Sequence, residues 1–416
     1  MIIRFGSASP RLWFVSYEDP VKRRLLSLAT LYPAPGRPGF GRFVARQMHA
    51  LNARGDWDVT VINPIGLPPL RIGRYAQLAA IPPVEHENGF TVYHPRFLII
   101  PSLSGRFNPA LIARTVMPLA ARLHAATPFD LIDAQFFYPD GPAAMRIARA
   151  LGVPLAIKAR GSDIHVWRGQ PGALPQMRAA AQAAGAVLSV SAALGRDLAE
   201  LGLAEDKLHV HYTGLDHARF APVPRAIARA QVMKLPGFEG CSDGPLLLSV
   251  GALVPVKGHD LAIAALALLP PDVTLAIVGT GPREVSLRAS TAKAGLSNRV
   301  RFLGNIGHDL LPQLLSAASA MVLISESEGL ANAWIEALAC GTPVVIPDVG
   351  GAREVVSCPA AGRVVAREPP AIAAALADLI ANPPAQAEVA ACAARFSWEA
   401  NAAALAGIYE GVITAS

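Results

Sequence analysis

Residues 325–351 read S-E-S-E-G-L-A-N-A-W-I-E-A-L-A-C-G-T-P-V-V-I-P-D-V-G-G, and their layout decides the fold. Just before them, the apolar run 321–324 predicts a buried parallel strand. Two acids and a glycine end that run. A helical pattern follows over 332–340, and Gly341-Thr342-Pro343 leads into a second apolar strand at 344–346. Strand, loop, helix and strand in that order make one unit of a parallel sheet. Its polar residues fall where the first strand hands over to the helix. In open parallel sheets, ligands bind outside the carboxyl ends of the strands, and a helix start there offers free N–H groups to an anion. Glu328 lies at the mouth of the loop, and Glu336 about two turns along the helix.

Outward from this unit, apolar strands alternate with helical patterns along the chain, which predicts an α/β protein with parallel sheets. In the first half, strands are expected at 25–29, 59–62, 131–134, 155–158 and 187–190, with a helix over 43–54 that aligns Val44, Met48 and Leu51. In the second half, they are expected at 246–250, 275–278, 300–303, 322–324 and 344–346. Residues 221–244 are mixed, with P-V-P and C-S-D-G-P, and read as a linker. The two halves repeat one architecture.

A chain of 416 residues is long enough for two cores. Its 52% apolar and 16% charged residues suit sheets buried on both faces. No apolar run reaches the roughly 18–20 residues of a membrane span. The most apolar segment, 261–278, is broken by Pro270-Pro271-Asp272. The opening M-I-I-R-F-G-S-A-S-P lacks the apolar core of about 7–15 residues that marks a secretory signal. Cys241, Cys340, Cys358 and Cys392 are widely spaced with no C-x-x-C, so neither zinc nor a disulfide framework is expected, and a reducing cytoplasm fits. His209 and His211 share one face of an expected strand, but two histidines do not make a metal site. The net charge of +6 is concentrated early, at Lys22, Arg23, Arg24, Arg37, Arg42, Arg46, Arg71 and Arg74. That balance suits an anionic membrane surface or phosphorylated substrates. With no basic stripe interleaved with aromatics and no recognition helix, nucleic acid is not an expected partner.

Three further stretches place glycines between a strand and a helix. S-V-G-A-L-V-P-V-K-G-H-D, 249–260, has Gly251 and Gly258 for close backbone approach and Lys257 as a point charge for a phosphate. Alone, it equally describes a surface lysine in a turn. I-V-G-T-G-P-R, 277–283, carries Gly279, Gly281 and Arg283. Y-P-A-P-G-R-P-G-F-G-R-F-V, 32–44, puts Gly36, Gly39 and Gly41 ahead of Arg42.

E-G-L-A-N-A-W-I-E-A-L-A-C-G-T-P-V-V, starting at Glu328, resembles the donor-site motif of glycosyltransferase family 4. That resemblance implies two Rossmann-like domains facing across a cleft (the GT-B fold) and retaining transfer from a nucleoside-diphosphate sugar. It implies that Glu328 faces the sugar, Glu336 reaches the ribose and Lys257 the diphosphate. Gly251, Gly279, Gly281, Arg283, Asn305 (in R-F-L-G-N-I, 301–306), Gly329, Leu330, Ala331 and Asn332 would complete the donor side. Many members carry Arg where this chain has Ala252, so one phosphate contact is missing. Arg283 or Arg160 is expected to replace it.

Q-F-F-Y-P-D-G, 135–141, and K-A-R-G-S-D-I, 158–164, resemble cleft-lining loops of the first domain in a bacterial surface-polysaccharide branch of that family. They bring Tyr138, Asp140, Arg160, Gly161 and Asp163, beside Gly39, Gly41 and Arg42. Asp163 reads equally as a catalytic carboxylate or a helix cap. Many relatives have His in place of Arg160. T-G-L-D at 213–216 resembles a hinge segment, and 396–410 a closing helix that returns to the first domain. Residues before about 20 precede the usual start. The implied division is a first domain over 1–220, a linker over 221–244, a donor domain over 245–395, and the helix in 396–416.

No D-x-D motif is present, so Lys257 and helix N-termini are expected to meet the leaving-group charge without a metal or other cofactor. The implied acceptor is a glycan, lipid-linked at the inner face of the cytoplasmic membrane. The rival expectations are a GT-B-fold sugar-nucleotide epimerase and a catalytically inactive nucleotide-sugar-binding subunit.

Overall fold

The computed structural model describes residues 22–415 other than 36, 38, 88, 102, 103, 204, 242 and 308. The possible N-terminal extension lies outside the described residues.

The first half holds strands β1 (Arg23–Leu28), β2 (Trp57–Ile62), β3 (Ile65–Leu67), β4 (Val84–Glu87), β5 (Phe90–Tyr93), β6 (Arg96–Leu98), β7 (Leu131–Ala134), β8 (Leu155–Ala159), β9 (Ala186–Ser189) and β10 (Leu208–Val210). Eight of them form a sheet in the order β10-β9-β8-β7-β1-β2-β5-β4. Only β4 runs antiparallel to its neighbour. The second half holds β11 (Leu246–Val250), β12 (Thr274–Val278), β13 (Val300–Gly304), β14 (Ala320–Val322), β15 (Val344–Pro347) and β16 (Gly362–Val365). These pair in the order β13-β12-β11-β14-β15-β16, all parallel, which is the doubly wound arrangement. The strands are apolar because helices cover both faces: β7, β8, β12 and β15 are buried throughout.

This topology fixes where a ligand can sit. Strand order reverses between β1 and β7 in one lobe and between β11 and β14 in the other. Loops leaving two such neighbours diverge to opposite faces and open a crevice between them. The Glu328 loop follows β14, and the Lys257 loop follows β11.

Three elements differ from the sequence reading. Residues 221–244 are not a bare linker. They contain the helix Arg225–Val232, which packs against the helix Leu311–Ala317 of the second lobe. The region 65–98 carries β3 to β6, which sequence reasoning missed. β3 and β6 are three residues long, and Pro64, Pro68 and Pro69 break the periodicity around them. Cys358 and Cys392 form a disulfide across 34 residues, while Cys241 and Cys340 are free. No short cysteine motif foretold that pair, because only the tertiary fold brings the two segments together.

The closing helix, Trp398–Thr414, is capped by Ser397, whose Oγ accepts from the Ala400 N–H at 3.0 Å. It crosses to the first lobe, where Leu405, Ala406, Tyr409 and Val412 join a core with Leu25, Met48, Trp57 and Leu188. Gly214, in the T-G-L-D segment, lies where this helix crosses. A Cβ there would come within 2.4 Å of the Trp398 ring.

Candidate active site

A cavity of about 890 Å³ lies between the lobes, where both crevices face each other. Its second-lobe wall comes from two loops. Gly251, Ala252 and Lys257 follow β11, and Glu328 to Asn332 follow β14, with Glu336 one helical stretch further on. The helix Asn332–Ala339 points its amino end at this space. Gly258 permits the β11 loop to pack on the other. Its φ is +63°, and a Cβ would lie 2.1 Å from the Ile324 carbonyl oxygen.

Lys257 and Glu328 meet directly. Lys257 Nζ donates to Glu328 Oε1 at 2.5 Å, and Ser325 Oγ donates to the same oxygen at 2.7 Å. The two residues expected to address different parts of one ligand are therefore paired with each other. Glu336 stands apart. Burial pushes its carboxyl up to about 7, against weaker opposing pulls from Arg46 and Arg219.

The first-lobe wall includes Gly39, Arg42, Phe43, Arg46 and Arg160. Arg46 is held by Asp216 at 3.1 Å. The Arg160 guanidinium stacks over Phe43 with its carbon 4.7 Å from the ring centre. Its Nε donates to the Gln135 carbonyl at 2.8 Å, and Nη2 to Gln135 Oε1 at 2.6 Å. Burial lowers its pKa to about 10, against the pull of Asp163. Arg160 and Ala252 both line the cavity. Arg283 turns to Ser286 Oγ at 2.9 Å and does not line the cavity.

Several expected site residues lie outside the cavity lining. Asp163 is fully buried and accepts backbone N–H groups from Phe137 (2.6 Å), Arg160 (3.0 Å) and Gly161 (2.8 Å). It braces the loop that presents Arg160 and does not reach the cavity. Asp140 is buried under Thr30, accepting from its N–H at 2.9 Å and its hydroxyl at 2.6 Å, and burial pushes its carboxyl up to about 7. Tyr138 packs on Trp167 and donates to the Gly105 carbonyl at 3.0 Å. Gly279, Gly281 and Asn305 lie outside the cavity lining. Gly279 and Gly281 press on the backbone of Gly251 and Leu253, so their small size serves loop packing. Gly41, with φ +69°, starts the helix Arg42–Ala53 against the Leu31 carbonyl.

Sequence reasoning missed the network behind Arg160. Lys158 Nζ, buried on β8, donates to Gln47 Oε1 at 2.9 Å and His211 Nδ1 at 2.6 Å. His211 Nε2 meets the Asn401 carbonyl of the closing helix at 2.9 Å. Burial holds the Lys158 and His211 pKa values well below their usual range. Gln135 Nε2 donates to Asp133 at 2.5 Å, and Tyr409 of the closing helix donates to the same Asp133 oxygen. The signal was present: Asp133 in L-I-D-A and Lys158 in L-A-I-K-A are ionisable residues inside fully buried strands. His165, also on the cavity wall, was missed as well.

The lobes touch through two glycines. A Cβ on Gly161 would lie 2.8 Å from the Gly329 nitrogen, and one on Gly329 would lie 2.4 Å from the Arg160 carbonyl oxygen. Glu354 of the second lobe accepts the N–H groups of Ala192 (2.9 Å) and Ala193 (3.1 Å) at a helix start of the first. Among the described residues, no group of three or more His, Cys, Asp or Glu is close enough to hold a metal ion.

Two facing doubly wound lobes with a charged cavity at both switch points define the GT-B architecture. Residues 38–219 match the family Glycosyltransferase Family 4, and residues 239–395 match Glycosyl transferases group 1. The chain is 32% identical to a D-inositol 3-phosphate glycosyltransferase of Frankia alni over 301 residues, covering 66% of this chain and 72% of that protein. It is 29% identical to TuaC of Bacillus subtilis, a glycosyltransferase assigned to teichuronic acid biosynthesis, covering 79% of this chain and 82% of that one. A GDP-mannose-dependent phosphatidylinositol monomannoside mannosyltransferase of Mycolicibacterium smegmatis is 36% identical, but over only 41% of this chain and 46% of that protein. Among solved structures, sucrose-phosphate synthase of Thermosynechococcus elongatus superposes with a TM-score of 0.76 at 23% identity, covering 95% and 100% of the two chains. HepE of Anabaena in complex with UDP superposes at 0.71 and 22% identity, covering 93% and 99%. These structural likenesses speak to the fold. The chain belongs to the GT-B-fold glycosyltransferases, related to the family 4 and group 1 enzymes.

Proposed function

We propose that this protein is a retaining glycosyltransferase of family 4. It moves a sugar from a nucleoside-diphosphate donor to a glycan acceptor, lipid-linked at the cytoplasmic face of a membrane, in surface-polysaccharide synthesis. The observation that carries this reading is the second-lobe wall, where Lys257, Glu328, Glu336 and the start of the Asn332–Ala339 helix share one cavity. A diphosphate at that helix start is met by N–H groups and by Lys257. Glu336 accepts from the ribose hydroxyls, and Glu328 from the sugar. Donor binding draws Lys257 from Glu328 toward phosphate, freeing the carboxylate for the sugar. Arg160 adds a positive charge from the facing lobe.

In the transfer step the bond between the anomeric carbon and the phosphate oxygen breaks. The acceptor hydroxyl attacks on the same face and passes its proton to the leaving phosphate. Charge on that phosphate is met by protein groups already aimed at it. The relative assigned to teichuronic acid synthesis supports the polysaccharide setting.

The test is donor turnover by purified protein, after a thermal-shift screen with UDP, GDP, ADP and dTDP. Release of nucleoside diphosphate with acceptor glycosylation supports the proposal. A nucleotide-dependent shift in melting temperature without release under any acceptor would assign the chain to a binding subunit instead. Ala252, which removes one phosphate contact from this wall, is the feature that favours that second reading.

A further inference from the structure

Two long segments of the first lobe carry no acidic residue. The sequence has no Asp or Glu from 59 to 84, and none from 88 to 129. These two segments hold Arg71, Arg74, Arg96, Arg106, Arg114 and Arg122, all exposed. The elements that carry them are neighbours in the fold. β3 pairs with β6, Leu67 facing Leu98, and the Ile99 N–H donates to the Leu67 carbonyl at 3.0 Å. Arg96 Nη2 reaches the Ala79 carbonyl at 3.0 Å, tying the short helix Arg74–Ala79 to the same strand pair. The helix Asn108–Ala126 packs against β6.

Large aliphatic side chains stand among these arginines. Leu70 is 68% exposed, Ile72 65%, Leu98 55% and Ile100 51%, with Phe107 at 51% beneath the Arg106 guanidinium. The helix Arg74–Ala79 buries none of its residues. Scattered exposed apolar residues need no explanation, but these sit on one strand pair and its loops. The face also runs to the cavity. Gly105 packs on Trp167, and its neighbour Val166, 57% exposed, lines the cavity mouth.

We propose that this face docks the protein on an anionic bilayer, with Leu70, Ile72, Leu98 and Ile100 entering the interface and Arg71, Arg74, Arg96 and Arg106 meeting the headgroups. Charge complementarity and the aliphatic tips together select the partner. A nucleic acid or an acidic protein is served by the arginines but not by exposed leucine and isoleucine, whereas a lipid surface uses both. The early basic cluster read from the sequence is thereby redrawn. Arg23 pairs with Asp130 and Glu410, Arg24 with Asp58, and Arg46 with Asp216. Arg37 reaches Asn63, and Arg42 lines the cavity; Arg71 and Arg74 are its members in these two segments. The inference rests on the transferase reading only for its use, since it would bring a lipid-linked acceptor to the Val166 side of the cavity.

Vesicle co-sedimentation of the full chain tests it without any turnover, so its failure leaves the transferase reading standing. Wild type should sediment with phosphatidylglycerol-containing vesicles at low salt, less at high salt, and little with pure phosphatidylcholine. Arg71→Gln and Arg74→Gln should each weaken binding by roughly five-fold. The Leu70→Ser, Ile72→Ser double variant should lose most of it at an unchanged melting temperature. Arg23→Gln should bind as wild type. Equal partitioning onto neutral and anionic vesicles, no partitioning onto either, or unaltered binding by the Leu70, Ile72 variant overturns the proposal. Retention on a nucleic-acid column with no vesicle binding would also overturn it and assign the face to a soluble polyanion.

Discussion

The two walls of the cleft are built differently. The second-lobe wall comes mainly from two loops and one helix start: Glu328 to Glu336 are nearly continuous in sequence, and Lys257 joins them from the loop after β11. The first-lobe wall presents Arg160, but Arg160 is held by Gln135, which is held in turn by Asp133 and by Tyr409 from the far end of the chain. A wall made by short motifs can exchange a side chain with little effect on folding. A wall made by a buried polar network couples its function to its stability, because each member left unpaired in low dielectric costs free energy.

Four experiments can break or sharpen that contrast. Lys257→Ala should have the largest effect. A charge-assisted hydrogen bond to phosphate is worth roughly 1.5–3 kcal/mol, so kcat/KM should fall about 10- to 150-fold. The melting temperature should hardly change, because Lys257 is partly exposed and Glu328 keeps Ser325. Unaltered kinetics would reduce Lys257 to a turn residue.

Tyr409→Phe probes the opposite wall, about 250 residues from Arg160 in sequence. It deprives the buried Asp133 carboxylate of a donor, at a cost of about 1–3 kcal/mol in stability. Both the unfolding midpoint and kcat/KM should fall. Denaturant unfolding beside steady-state kinetics reads the two, and loss of neither would dissolve the distinction between the walls.

Glu336→Gln tests the acid of the motif wall whose carboxyl is pushed up by desolvation. Its carboxyl titrates near 7 in the folded protein, against an ordinary 4.5. The folded state therefore holds this proton more tightly than the unfolded chain does. That contribution is fully present below about pH 4.5 and is lost as pH rises through 7, by at most about 3 kcal/mol. Glutamine cannot titrate, so the variant should gain stability over wild type as pH is raised from about 5 to 8. A constant difference across that range would place the Glu336 pKa elsewhere. The variant should also bind free nucleoside diphosphate more weakly, whereas Glu328→Gln should mainly lower turnover. Calorimetry finding the reverse would exchange their roles.

The smallest expected effect is that of a chelator. Lys257, Arg160 and the helix start are assigned the leaving-group charge, so EDTA should leave kcat unchanged. Complete loss with rescue by Mg²⁺ or Mn²⁺ would refute that assignment.

The same contrast governs how far the sequence could be read. Periodicity located the central strands of both sheets, because a strand covered on both faces must be apolar along its length. β14 ends two residues early because its chain bends away, with the Glu326 N–H donating to the Val256 carbonyl at 2.7 Å. Edge elements such as β3, β4 and β6 escaped, being short or polar. Glu328 to Glu336 are brought together by local chain geometry, whereas Lys257 joins them only through the sheet.

Sequence by itself therefore determined the class of fold and grouped Glu328 with Glu336 in one motif, since both follow from short-range pattern. Tertiary structure alone decided that Lys257 and Glu328 are paired, that Asp140 and Asp163 brace loops, and that Cys358 meets Cys392. It also decided which arginines are tied in ion pairs and which stand exposed in the acid-free segments. Partner choice depends on distances across the fold, and no local pattern encodes these. A carboxylate beside a glycine reads the same whether it meets solvent, a ligand or three backbone N–H groups.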